Sequence, residues 1–394
     1  MPRTEAEALD AADPLAPLLD RFVIPNPDRI YLDGNSLGRL SIDARDALAA
    51  ITEDWGERAV EGWRDWIELP TRVGDRLARV ALGARPGEVL VADSVTVNLF
   101  KLVHAAADHR DGPIVTDAGN FPTDRYVLEG VARQRGREYI EAPSVEAAIE
   151  AAAGGTLCLA HVDYRSGVLL DMAAITSQTD AADALLVWDV SHSVGAVEVD
   201  LSGADLAVGC TYKYLNAGPG APAFLYVRSD LKPELRSPIQ GWFGRRDQFG
   251  MGRGYDPADG IERFAAGTPS ISGLAAIDAG LGLIEECGIA RIAAKSRALT
   301  ELAARLTEEW LEPLGFRPGS PPEAHRRGAH LALRHHDAEL ICTGLLEHAG
   351  VVTDFRQPDI LRLGFSPMTT RFTDVWDGLD RLRSLAAGFD RRDS

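Results

Sequence analysis

The chain has 394 residues, 45% of them hydrophobic, and its 59 acidic side chains outnumber the 41 basic ones for a formal net charge of −18. That much apolar material in a chain of this length buries a large core and predicts one large domain with a smaller one, while the acidic surface argues against nucleic acid and anionic membranes as partners. No stretch reaches about 18 uninterrupted apolar residues, the N-terminal MPRTEAEALDAADPLAPLLD lacks an apolar signal core, and Cys158, Cys210, Cys287 and Cys342 lie far apart with no CxxC spacing, which together predict a cytoplasmic protein.

In chain order, RDALAAITEDWGERAV and TRVGDRLARVALGA have helical periodicity, the second ending near Gly83. EVLVADS then predicts a strand and TVNLFKLVHAAADH the helix that follows it. PIVTDAG, TLCLAHVDY, ALLVWDVSHS, ADLAVGCTY and PAFLYV continue as β-runs, with helices over TDRYVLEGVARQRG and MAAITSQTDAADA. Alternation of this kind over residues 88–228 implies an α/β, doubly wound and mostly parallel sheet, with ligands at the carboxyl ends of its strands. From about residue 271 the pattern becomes one long helical stretch, GLAAIDAGLGLIEECGIARIAAKSRALTELAARLTEEWL. GAHLALRHH, AELICTGLLEHAG, VVTDFR and ILRLGFS then predict a small C-terminal α+β domain. The expected division is 1–45 as an N-terminal segment packing with the small domain, 46–285 as the large domain and 286–394 as the small one.

The strand-end rule directs attention to four places. Ser94, Val95 and Thr96 lie between a strand and a helix, where free N–H groups and the helix dipole favour a phosphate, although Ser94 or Thr96 could equally serve only as a cap. NFPTD offers the flat ring of Phe121 beside Asp124, or simply a turn. VWDVSHS brings Asp189 and His192 off the end of an apolar strand, and TYKYLNAGPG places Lys213 between Tyr212 and Tyr214 at the end of the next. A phosphate cradle, an aromatic plate, a carboxylate and an amine on one sheet edge are what pyridoxal phosphate needs: a lysine for its aldehyde, an acid for its pyridine nitrogen and donors for its phosphate. The glycines of NAGPG let the backbone turn tightly away from that group.

YLDGNSLG (31–38), VNLF (97–100), NFPTD (120–124), WDVSHSVGAVEVDL (188–201), GCTYKYLNAGPGAPAF (209–224) and GWFG (241–244) together resemble kynureninase, a pyridoxal phosphate hydrolase of the aspartate-aminotransferase fold, also called fold type I. The resemblance runs in order from about residue 22 to residue 380. It implies cleavage of L-kynurenine into anthranilate and L-alanine, as in tryptophan catabolism, by a homodimer with active sites at the subunit interface. By the same resemblance Lys213 is the cofactor lysine, Val95 and Thr96 contact phosphate, Phe121 stacks on the ring, Asp124 lies near it and Asp189 pairs with its nitrogen. His192, Tyr212, Trp242 and Thr268 complete the cofactor shell, with Tyr212 a proton donor. Arg362 of ILRLGFSP grips the substrate α-carboxylate, and Ser36, Trp63 and Gly267 line the substrate site. No metal is implied. Some members carry a hydroxyl residue where this chain has Ala160, so that cofactor contact is missing or comes from another group. Trp63 and Gly267 resemble the pocket of bacterial members rather than those favouring 3-hydroxykynurenine, which predicts a preference for L-kynurenine. The rival chemistries on this fold are an aminotransferase and a cysteine desulfurase; the latter needs a mobile nucleophilic cysteine, and Cys342 lies within a helical pattern. A biosynthetic kynureninase acting on a ring-modified substrate, and a cofactor-less relative, are further alternatives, the last opposed by an intact Lys213 and Asp189.

Overall fold

The computed structural model describes residues 1–389. Its strands in chain order are β1 (Ile30–Tyr31), β2 (Val89–Val91), β3 (Ile114–Asp117), β4 (Tyr139–Ala142), β5 (Thr156–Ala160), β6 (Leu185–Asp189), β7 (Leu206–Gly209), β8 (Phe224–Val227), β9 (Arg317–Pro318), β10 (His330–Arg334), β11 (Val351–Val352), β12 (Asp354–Arg356) and β13 (Ile360–Gly364). Seven of them form one sheet in the order β2-β8-β7-β6-β5-β3-β4. Strands β3 to β7 are parallel neighbours, and β8 runs antiparallel between β7 and β2.

Continuous apolar runs such as LLVW and FLYV are buried along their whole length because both faces of the sheet are covered. The two-residue side-chain period divides them cleanly. Leu185, Val187, Leu206 and Val208 pack with Leu99, Leu102 and Leu128 of the helices Val95–His109 and Pro122–Arg135. Leu186, Trp188 and Ala207 face the opposite way, toward Val73, Leu77, Ile277 and Leu281 of the helices Leu69–Leu77 and Ile271–Cys287.

A second sheet, β12-β13-β10-β9, is antiparallel throughout and has its own core with the helices Ile289–Leu306, Ala338–Gly344 and Phe372–Phe389. The N-terminal residues contribute to both cores. Ala6, Ile30 and Leu32 pack with the second sheet, whereas Leu15, Leu18 and Phe22 pack with the first. Asp10 also accepts from the Phe372 N–H at 2.6 Å, capping the last helix.

Three features differ from the sequence-based expectation. The helical stretch after residue 271 breaks at Gly288, whose φ of +78° ends one helix and starts the next while the apolar period continues across the break. Strand β4 was not expected, being a short edge strand with only Ala142 buried. PAFLYV returns antiparallel instead of extending the parallel set.

Candidate active site

The loops after β6 and β7 bring the sequence-predicted residues together. Lys213 Nζ lies 2.9 Å from His192 Nε2 and 5.7 Å from the Tyr212 ring centroid. The lysine loop is held from outside by Gly38 of YLDGNSLG, whose N–H donates to the Tyr212 carbonyl at 2.8 Å. A Cβ on Gly38 would lie 2.2 Å from the Lys213 carbonyl oxygen, so no other residue fits there without displacing the loop. Beyond Lys213 the chain turns through positive φ at Asn216 (+55°), Gly218 (+88°) and Gly220 (+76°), the tight turn expected of NAGPG.

Asp189 ends β6, and its Oδ1 accepts from the Ser191 N–H at 2.8 Å. Asp124, in the first turn of the helix Pro122–Arg135, is 1% exposed and approaches Asp189. Burial first, and then the charge and hydrogen bond of Asp189, push the Asp124 carboxyl well above the usual range. His192 is shifted the other way, held neutral by burial and by the charges of Lys213, Arg362 and Arg356. Tyr212 is raised by burial, which keeps its phenol protonated and able to donate. Phe121 presents its partly exposed ring edge-on to Tyr164, with centroids 5.1 Å apart.

Val95 and Thr96 occupy the first turn of the helix Val95–His109, where N–H groups lack intrahelical acceptors. Ser94 is the N-cap, its Oγ accepting from Val97 N–H at 3.3 Å. The turn is anchored by Lys101, a buried residue that sequence analysis missed: its Nζ binds Asp93 and donates to the Phe264 carbonyl at 2.7 Å. An ammonium inside an apolar helix pattern was the available signal, since a buried lysine needs partners. Asn120 was also missed; its Oδ1 accepts from the Phe121 N–H at 2.6 Å while its Nδ2 donates to Thr116.

Arg362 on β13 is 1% exposed. Its Nε donates to Asp354 Oδ1 at 2.9 Å, Nη1 to the Tyr164 carbonyl and Nη2 to Ser36 Oγ at 3.4 Å, so the guanidinium plane is fixed before any ligand arrives. Ser36 Oγ also donates to Asp354 Oδ2, at 3.2 Å. Nearby Asp33 is raised to about 6, chiefly by burial.

The remaining expected residues form a separate group. Trp63 packs edge-on against Trp66 and tilts over Phe243, whose ring is 4.4 Å from that of Trp242. Gly267 and Thr268 are exposed and line a cleft with Phe243, Pro222 and Asp93, the residue before Ser94. Among the described residues, no hydrogen bond or ring contact joins Trp242 or Thr268 to Lys213, His192 or Asp189 in one chain.

Residues 292–382 match the model of the kynureninase C-terminal domain family. A kynureninase of Pseudomonas fluorescens is 41% identical over 398 residues, covering 97% of this chain and 95% of that protein. A kynureninase of Burkholderia pseudomallei is 40% identical over 399 residues at the same coverage. Among solved structures, the apo cysteine desulfurase of Thermococcus onnurineus superposes with a TM-score of 0.81 at 18% identity over 94% of this chain and 98% of its own. The Escherichia coli cysteine desulfurase CsdA gives 0.80 at 18% identity over 95% and 98%. Likeness at that identity carries the fold, and the fold alone.

Proposed function

The chain belongs to the kynureninase family, and from that premise we propose the residue roles, substrate preference and assembly by which it works. It hydrolyses L-kynurenine to anthranilate and L-alanine with pyridoxal 5'-phosphate, as a hydrolase of carbon–carbon bonds in ketonic substances. The observation that carries the site assignment is the Lys213–His192 contact beside the Asp124–Asp189 pair at the ends of β6 and β7. The residues fit the cofactor. Asp124 Oδ2 and His192 Nδ1 are buried polar atoms with no protein partner, the phosphate turn offers free N–H groups, and the Phe121 ring is partly open.

Bound pyridoxal phosphate supplies the electron sink for charge developing at the substrate Cα. Lys213 holds the cofactor at Nζ and is the base at Cα. Asp189, at the end of β6 beside Asp124, would pair with the pyridine nitrogen and favour its protonated form. Val95 and Thr96 hold the phosphate and Phe121 covers the ring. Arg362 binds the α-carboxylate with its two outward N–H groups, a planar match that an ammonium cannot reproduce. Tyr212 delivers a proton during Cβ–Cγ cleavage.

The working unit is a homodimer in which the exposed Trp242, Gly267 and Thr268 of one subunit complete the site of the other. Their separation from Lys213 in one chain, and the exposed apolar rings of Trp242 and Phe249, support this. The division at residues 45 and 285 belongs to the same reading. A cytoplasmic location is supported by four unpaired cysteines. Among the described residues, no helix is long and apolar enough to cross a membrane.

The cysteine desulfurase alternative lacks its nucleophile. The Cys342 thiol is raised by burial, packs against the second core and contacts Thr353 from inside a helix. Incubation of the purified protein with L-kynurenine and pyridoxal phosphate should yield equimolar anthranilate and alanine; cysteine-dependent sulfide release in their place would overturn the assignment.

A further inference from the structure

Strand β12 lies at the edge of the second sheet, and its register sets Asp354 directly opposite Arg362 of β13. Arg356 stands two residues further along the same face of β12. Asp354 divides its two oxygens among three side chains. Oδ1 accepts from Arg362 Nε at 2.9 Å, while Oδ2 accepts from Arg356 Nη2 at 2.9 Å and from Ser36 Oγ at 3.2 Å. Backbone pairing and side-chain contacts together hold this carboxylate in one orientation. Its side chain is 12% exposed against 1% for that of Arg362, so the ion pair stands largely out of water, where a guanidinium without a partner is costly. Asp33, the other carboxyl close by, forms no ion pair with Arg362 among the described residues, and its Oδ1 is buried without a partner.

We propose that Asp354 is a positioning residue for the substrate α-carboxylate, acting through Arg362: it turns the guanidinium so that the N–H groups left over form an outward pair. This inference rests on Arg362 being the carboxylate-binding residue. The donor count carries it. A guanidinium has five N–H groups in a fixed fork. Asp354 takes the one on Nε, the Tyr164 carbonyl one on Nη1 and Ser36 Oγ one on Nη2, which leaves one on each Nη. Of these three contacts, that with Asp354 is the one made to a charge, and it sets the roll of the fork. The Ser36 contact depends on Asp354 as well. Ser36 Oγ gives its one hydrogen to Asp354 Oδ2, and so meets Arg362 Nη2 with a lone pair. Two of the three bonds that orient the guanidinium therefore pass through one carboxylate. Arg356 shares that carboxylate, so among the three charged groups a net positive charge remains to attract the anionic substrate.

The test is kinetic. KM and kcat for L-kynurenine are measured on the holoenzyme of wild type, Asp354→Ala, Arg362→Ala and the double variant, alongside the melting temperature of each. Asp354→Ala should raise KM about tenfold or more, the loss expected for a hydrogen bond between charged groups, while kcat changes by less than about threefold. In the Arg362→Ala background the same substitution should change KM by less than about twofold, because the guanidinium through which it acts is gone. An unchanged KM, a KM lowered by removal of the negative charge, or equal effects in the two backgrounds overturns the proposal. If Asp354→Ala does not fold, Asp354→Asn, of the same shape, decides by the same cycle. Its amide has one acceptor where the carboxylate has two, so KM should still rise, and an unmoved KM refutes the role. A wild-type KM in Arg362→Ala would instead refute the carboxylate assignment of Arg362, so the two failures are distinguishable.

Discussion

Asp124 and Asp189 approach each other at the floor of the site, and burial with mutual repulsion leaves room for one charge between them. Ser191 N–H donates to Asp189, whereas Asp124 Oδ2 has no partner, and it is the Asp124 carboxyl that is pushed well above the usual range. The sign of the stability effect follows. A carboxyl raised in the folded state keeps its proton while the unfolded chain, near the ordinary value of about 3.9, loses it. Folding stability is therefore greatest below that ordinary value and declines as pH rises toward the folded one. Asp124→Asn should remove this decline in cofactor-free protein. Melting temperatures between about pH 5 and 8 should then vary less than in wild type; an identical slope would show that Asp124 is not neutral at the bottom of that range.

Lys213→Ala should abolish anthranilate formation and the yellow colour of the cofactor-loaded protein, because its amine, 2.9 Å from His192 Nε2, is the group proposed to hold the cofactor. Its side chain is not part of either core, so melting of the cofactor-free protein should change by less than about 1 kcal/mol of stability. A coloured, active variant would remove Lys213 from the mechanism.

Arg362→Lys should raise KM for L-kynurenine by roughly 10- to 100-fold, the loss expected when one charge-assisted hydrogen bond is not replaced. The lysine can keep a charge near Asp354 but cannot also reach Ser36 and Tyr164 while presenting two parallel donors. An unchanged KM would place the substrate carboxylate elsewhere.

Much of the candidate site was legible because its polar groups stand at strand ends, where apolar runs stop and a polar residue follows. Asp189 and Lys213 are the plainest cases, and the turn after Lys213 announced itself through Asn216 and its glycines. What was not legible came from packing between distant segments. Lys101 reads as one polar residue in an apolar helix, and only the folded chain brings Asp93 and the Phe264 carbonyl to it. The break at Gly288 was hidden because a helix-period pattern continues on both sides of one residue.

Mixing Trp242→Ala with Lys213→Ala tests the shared site. If one subunit's Trp242 completes the other's site, each variant alone is impaired, while half of randomly exchanged dimers carry one intact site and restore roughly a quarter of wild-type activity. Exchange is followed by native mass spectrometry of tagged chains. No recovery despite verified heterodimers would mean that Trp242 serves its own chain.

We expect Trp63 to set the choice of ring. Its half-buried indole is clamped between Trp66, at 5.8 Å, and Phe243, at 6.1 Å, and Phe243 also lines the cleft with Gly267 and Thr268. A wall of that kind stacks on an anthranilate ring and offers no acceptor for a ring hydroxyl, whereas a pocket built to bind the hydroxyl would discriminate far more strongly. Packing alone also explains a tryptophan here, so the decisive quantity is a ratio. Wild type should show a higher kcat/KM for L-kynurenine than for 3-hydroxykynurenine. Trp63→His should shift that ratio toward the hydroxylated substrate by about tenfold or more, since an imidazole adds a polar partner and relieves crowding at the ring edge. If the two substrates lose activity equally, Trp63 supports the helix Trp63–Trp66 and does not select the ring.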